Sequence, residues 1–146
     1  MKILFAFLLF VSSQIFCQKA EYVVIRETVE KLFTGMKNAD TVMIKSVFAE
    51  NAILQTITKN NTVKTENVQD FVNSISQFSA NDANEKITFE AIHLDGNLAS
   101  VLTPYEFYYK GKFSHCGANS FQLVKQNDTW KIQYLIDTRR KENCQK

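Results

Sequence analysis

Residues 112 to 121, "KFSHCGANSF", set a histidine, His115, directly beside a cysteine, Cys116, and a further cysteine follows at Cys144. A thiol next to an imidazole has the parts of a nucleophile with its base, and histidines with cysteines have the parts of a metal site. Neither arrangement survives the geometry of an extended chain. Side chains along a strand alternate faces, so His115 and Cys116 point to opposite sides of a sheet and cannot serve one another. The metal reading lacks preorganised ligands, because His93 and His115 are the only histidines and no CxxC or HxxxH spacing occurs. No metal and no cofactor are expected.

The elements that position these residues follow from periodicity. From Glu21 to Lys37 the apolar residues Ile25, Val29, Leu32, Phe33 and Met36 form the one-sided stripe of an amphipathic helix. Asp40 then offers an N-cap oxygen, and Ile44, Val47 and Phe48 give a short second helix one apolar face. "ILQTIT" at 53 to 58 reads as a strand, "KNNTVKTE" as a loop, and Val68, Phe71, Val72 and Ile75 as the face of a third helix. Beyond "SANDANE" the period becomes two. "KITFEAIHL", "LASVLTPYEFYY", "FSHCGANSFQLVKQ" and "TWKIQYLIDTRR", separated by the turns "DGN", "KGK" and "ND", predict a four-strand antiparallel meander. Helices first and a meander afterwards is an α+β layout, with N-terminal helices packed on the concave face of a curved antiparallel sheet. Pro104 inside a long strand is expected to mark a bend.

The opening "MKILFAFLLFVSSQIF" holds one lysine, Lys2, before an apolar run from Ile3 to Val11, the pattern of a secretory signal peptide. Nothing in the sequence approaches the roughly 20 apolar residues of a membrane span. Residues 1–18 are expected to be cleaved near Cys17 or Gln18, leaving residues 19–146 as one secreted or periplasmic domain. Bulky Phe16 stands where a lipoprotein signal has a small residue, so no lipid anchor is expected at Cys17. Cys116 and Cys144 are then the remaining cysteines, and an oxidising compartment favours a disulfide between them. Losing Lys2 also leaves 16 basic against 15 acidic residues, a net of +1. That balance gives no electrostatic footprint for nucleic acid. The short "RRK" at 139 to 141 reads as a solvated strand end.

The two-residue turn "ND" pairs Gln126 with Thr129, and a regular register from there sets Leu123 opposite Ile132, Phe121 opposite Tyr134, Asn119 opposite Ile136 and Gly117 opposite Thr138. The helix-covered face then carries His115, Asn119, Tyr134 and Thr138, whereas Cys116, Gln133 and Asp137 lie on the outer face. Across "KGK", Tyr105, Phe107 and Tyr109 join the inner face, or Glu106 and Tyr108 do if the register slips by one. A pocket lined by Tyr105, Phe107, His115, Asn119, Tyr134 and Thr138 suits a small apolar or aromatic ligand. Gly117 is expected to mark a kink that widens its mouth.

The segments "GMKNADTVMIKSVFAENAILQTI", "DGNLASVLTPYEFYYKGKFSHCGANSFQLVK" and "WKIQYLIDTRRKENC" resemble the nuclear transport factor 2-like superfamily, with its SnoaL-like and cystatin-like members. Within it they are similar to the secreted bacterial "putative lumazine-binding" family. The resemblance covers essentially the whole chain after the leader. It implies a cone-shaped α+β fold, a ligand site inside the cone, and a homodimer built on the sheet's outer surface. Enzymes of the superfamily place a carboxylate or a His–Asp pair in the cone. With Asp137 on the outer face, His115 is the weak candidate for acid-base catalysis, and the constellation is incomplete. Three functions follow: a secreted small-molecule-binding protein; an isomerase, dehydratase or cyclase using His115; and a dimeric interaction module acting through the outer sheet face.

Overall fold

The computed structural model describes the backbone of residues 2–144 and the side chains of residues 20–144. The expected leader at residues 1–18 therefore lies outside the residues whose side chains are described. Three helices, α1 (Lys2–Asn38), α2 (Thr41–Val47) and α3 (Val68–Ile75), accompany seven strands. These are β1 (Phe48–Ile57), β2 (Val63–Asn67), β3 (Ala83–Ile87), β4 (Ala91–Asp95), β5 (Leu98–Tyr109), β6 (Lys112–Gln126) and β7 (Thr129–Thr138). The strands form one curved, mixed sheet in the order β2-β1-β7-β6-β5-β3, with β4 pairing the first half of β5 and β3 the second. Among the described residues no helix is long and apolar enough to cross a membrane.

The apolar stripe of α1 buries as its spacing requires. Ile25, Val29 and Leu32 are at most 1% exposed, and with Phe33 and Met36 they pack on Ile44, Val47, Val72, Ile75 and the inward residues Val101, Phe121, Leu123, Trp130 and Ile132. Each such side chain contributes about 1.5 to 3 kcal/mol by leaving water. The Asp40 carboxylate caps α2 by accepting from the Met43 amide at 2.9 Å. Glu21 pins α1 to the β6–β7 hairpin, accepting from Lys125 Nζ and from the indole N–H of Trp130.

The meander differs from expectation in three respects. "KNNTVKTE" is not wholly loop, because its second half becomes β2 and pairs antiparallel with β1. "KITFEAIHL" breaks at Thr88–Glu90 into β3 and β4, at the place where Pro104 and Leu102 of β5 accept from the Thr88 and Glu90 amides. The sheet is mixed because β1 runs parallel to β7, a pairing that joins chain segments far apart in sequence.

The largest correction concerns β7. Gln126 pairs with Thr129 and Leu123 with Ile132, as the Asn127–Asp128 turn dictates, with both turn residues at positive φ. Then Gln122 pairs with Tyr134, which leaves Gln133 as an extra residue in a β-bulge. Its side chain donates to the Asn51 carbonyl, where the parallel β1–β7 register is also interrupted. Every residue beyond it changes face, so Phe121 opposes Leu135 and Asn119 opposes Asp137. Asp137 therefore faces inward. Tyr134, Ile136 and Thr138 turn to the other side.

Cys116 and Cys144 are joined by a disulfide with a Cα–Cα distance of 5.7 Å and a sequence separation of 28. Two further hydrogen bonds, Cys116 N to Arg140 O and Arg140 N to Cys116 O, hold the chain leaving β7 against β6. Cys144→Ser is expected to lower stability by roughly 3 to 4 kcal/mol in the chain-entropy treatment of a loop this size. Urea unfolding of the oxidised protein checks this, and an unchanged midpoint would show that the bridge closes no costly loop.

Candidate functional site

Between α1, α3 and the concave sheet lies a cavity of about 620 Å³, within the range of small-molecule sites. Its apolar wall comes from the helix residues Phe33, Met36 and Phe71, from Phe78 in the turn after α3, and from sheet residues such as Leu54, Phe107 and Leu135. Lys59, Lys64 and Glu66 of the β1–β2 hairpin also line it. The polar side chains gather where β3, β5, β6 and β7 meet: Glu85, Tyr105, His115, Asn119, Asp137 and Arg139.

Asp137 is the organiser of this cluster. One carboxylate oxygen accepts from the Thr56 hydroxyl, and the other accepts from Arg139 Nε at 2.8 Å and from the Tyr105 hydroxyl at 3.2 Å. The same Tyr105 hydroxyl lies 2.9 Å from the Thr138 carbonyl. A second group centres on Asn119, whose amide nitrogen donates to Glu85 Oε1 at 2.7 Å and lies 3.4 Å from the Thr103 hydroxyl. Among the described residues no fully enclosed side-chain nitrogen or oxygen lacks a partner. Such saturation fixes the geometry of the cluster.

Tyr105 reaches Asp137 because of Gly117, its direct partner across the β5–β6 ladder. A Cβ built on Gly117 falls 1.8 Å from the Thr138 carbonyl oxygen and 2.8 Å from Tyr105 Cε1. The glycine is thus a close-approach residue, which lets the tyrosine ring cross the strand under β7. His115 packs edge-on to Tyr105, with centroids 5.7 Å apart, and against Phe107 at 5.0 Å.

Of the residues singled out from the sequence, Tyr105, Phe107, His115 and Asn119 line the cavity, whereas Tyr134 and Thr138 do not. The bulge at Gln133 removes both. Tyr134 instead donates to Gln55 Oε1 at 2.6 Å, and the Thr138 hydroxyl accepts from the Ala118 amide at 3.1 Å. Glu85, Asp137, Arg139 and Thr56 enter unforeseen. Tyr105 and Phe107 share the face of His115 because a second irregularity, between Phe107 and Tyr108, offsets the short Lys110–Gly111 turn. Glu106 stays off the cavity, accepting from Tyr108.

The family model described as "Putative lumazine-binding" matches residues 20–134. The chain belongs to this family. No curated protein sequence matches it significantly. Solved structures of the same fold include an NTF2-like protein of unknown function from Shewanella baltica OS155, 20% identical, with a TM-score of 0.69 over 83% of this chain and 94% of that one. An NTF2-like protein of unknown function from Silicibacter pomeroyi DSS-3 is 11% identical, with a TM-score of 0.70 over 84% and 98%. A protein from Streptomyces avermitilis titled a putative dehydratase of the NTF2-like family is 12% identical, with a TM-score of 0.63 over 84% and 98%. At these identities the likeness speaks for the fold.

In this member of the lumazine-binding family the charges at the cavity end are unequal. Burial pushes the Glu85 carboxyl up to about 8; the hydrogen bond from Asn119 opposes the rise, and the Asp137 charge adds to it. Burial also lowers the His115 pKa, helped by the Arg139 charge. The shift favours the neutral imidazole; its Nδ1 lies 3.1 Å from the Ser114 hydroxyl, and among the described residues no carboxylate makes a hydrogen bond to it. Tyr105 is held firmly as a phenol by burial and by the neighbouring carboxylates. At neutral pH the polar end of the cavity thus offers a protonated acid, a phenol, an amide, an imidazole, a guanidinium and a carboxylate engaged by three donors.

Proposed function

We propose that the protein is a secreted small-molecule-binding protein whose cone holds a flat, partly apolar heteroaromatic ligand. The observation that carries this reading is the 620 Å³ cavity itself, aromatic along its length and polar at one end. Such a cavity buries a two- or three-ring compound and orients it by a few hydrogen bonds. The family's description names lumazine, which is a compound of that kind. A disulfide between Cys116 and Cys144 supports an oxidising compartment and hence removal of the leader. Self-association through the outer sheet face belongs to the same reading.

Thermal unfolding against flavins, lumazines, pterins, steroids and polyketide-like aromatics tests it. A true ligand at a hundred times its Kd is expected to raise Tm by on the order of 10 °C. Phe107→Ala, which removes one aromatic wall, is expected to weaken that ligand roughly tenfold. The absence of any shift at high concentration would sink the binding reading.

One observation favours a second reading. The bulge that turns Asp137 inward adds a carboxylate to the protonated acid of Glu85 and the imidazole of His115, and together these are the group types of acid-base catalysis. Mass spectrometry of each panel compound after incubation separates the two readings, since conversion marks an enzyme and recovery intact marks a binder.

A further inference from the structure

Two carboxyl groups line the polar end of the cavity, and their oxygens are not equally committed. Both oxygens of Asp137 accept hydrogen bonds from Thr56, Tyr105 and Arg139. Glu85 engages only Oε1, with Asn119, and no hydrogen bond of the described residues reaches its Oε2. That oxygen is not sealed in protein either, because every fully enclosed side-chain oxygen among the described residues has a partner. Glu85 stands on β3 directly opposite Phe107, a wall of the cavity, and itself lines the void. Glu85 thus brings an uncommitted, unsealed oxygen to the wall of the cavity.

Resting on the binding reading above, we propose that Glu85 anchors the ligand, donating from Oε2–H to a carbonyl oxygen or an unprotonated ring nitrogen. Asn119 positions the donor by holding Oε1. A protonated acid can donate to such an acceptor, whereas an ionised carboxylate would repel its lone pair. Burial keeps the proton on Glu85 up to about pH 8. The charged and titratable groups that share the cavity with it are Asp137 of β7, Arg139 just beyond it, His115 from β6, Tyr105 from β5, and Lys59, Lys64 and Glu66 from the β1–β2 hairpin; of these, Asp137 and Arg139 act on it directly.

Glu85→Gln keeps a donor at the same reach and does not titrate, so it separates Glu85 from all of these groups and from the probe's own ionisation. The purified protein is titrated with lumazine and with riboflavin, followed by their fluorescence, from pH 6.5 to 9.5. Wild-type affinity is expected to fall about tenfold from pH 8.5 to 9.5 relative to Glu85→Gln, one required proton giving tenfold per unit above its pKa. Glu85→Leu, checked for its fold by circular dichroism, is expected to bind at least tenfold more weakly at pH 7. Identical pH profiles for wild type and Glu85→Gln, or full affinity in Glu85→Leu, overturn the anchoring role while leaving the binding reading standing. A wild type that binds neither probe at any pH overturns both.

Discussion

Gly117→Ala is expected to cost about 4 kcal/mol or more, an effect outside the usual range for adding one methyl group. The reason is local and steric. The new Cβ would lie 1.8 Å from the Thr138 carbonyl oxygen and 2.9 Å from its carbonyl carbon, and backbone yields less readily than a side chain. Relief requires β7 to lift from β6, which would strain the Cys116–Arg140 bridge and the Tyr105 contact to Asp137. Gly96→Ala is the matched control: nothing stands within 4 Å of its Cβ, and only a φ of +55° opposes it. That change is expected to cost about 1 kcal/mol. Urea midpoints of both variants measure the contrast, and a Gly117→Ala protein as stable as the control would remove the close-approach account.

The second large effect is a pH dependence of stability that belongs to Glu85. Its carboxyl is raised from an unfolded value of 4.5 to about 8, with burial the first cause. Below pH 4.5 both folded and unfolded states hold the proton, so the group exacts nothing. Between 4.5 and 8 the unfolded chain gives the proton up while the folded one keeps it, and stability falls by about 1.4 kcal/mol per pH unit. Above 8 both states are ionised and the loss is complete, on the order of 5 kcal/mol. Glu85→Gln removes this slope and retains a partner for Asn119. Its stability relative to wild type is therefore expected to rise across that window and level off beyond it, as chemical denaturation at a series of pH values would show. A constant difference from pH 4.5 to 8 would mean that Glu85 titrates normally.

Much of the α+β plan was readable because burial enforces simple periods. Helix α1 could bury Ile25, Val29, Leu32, Phe33 and Met36 only at a period near 3.6, and the hairpin at Asn127–Asp128 fixed Gln126 against Thr129. Half of the site was readable for the same reason, since His115, Asn119, Tyr105 and Phe107 lie on strand stretches whose alternation holds. Asp137 was misplaced by a single extra residue. The sequence did carry a signal there, because Tyr134, Leu135 and Ile136 are three apolar residues in succession, which no unbroken alternation produces. Glu85 gave no comparable signal, since it ends the polar "SANDANE" and lies mid-way along a strand, β3, whose partner, β5, comes later in the chain.

By itself, the sequence determined the three helices and their apolar faces, the long strands of the meander, that His115 and Cys116 point to opposite sides, and that the chain resembles the family to which it belongs. All but the resemblance follow from local periodicity, which is written in neighbouring residues. Only the tertiary structure decided that Gln133 bulges, that Asp137 and Glu85 meet Asn119 and Tyr105 at one end of the cavity, and that Gly117 is needed where Thr138 passes. Each depends on strands separated by tens of residues fitting against one another in three dimensions. A register shift of one residue reverses a strand's faces, and packing between distant strands sets that register.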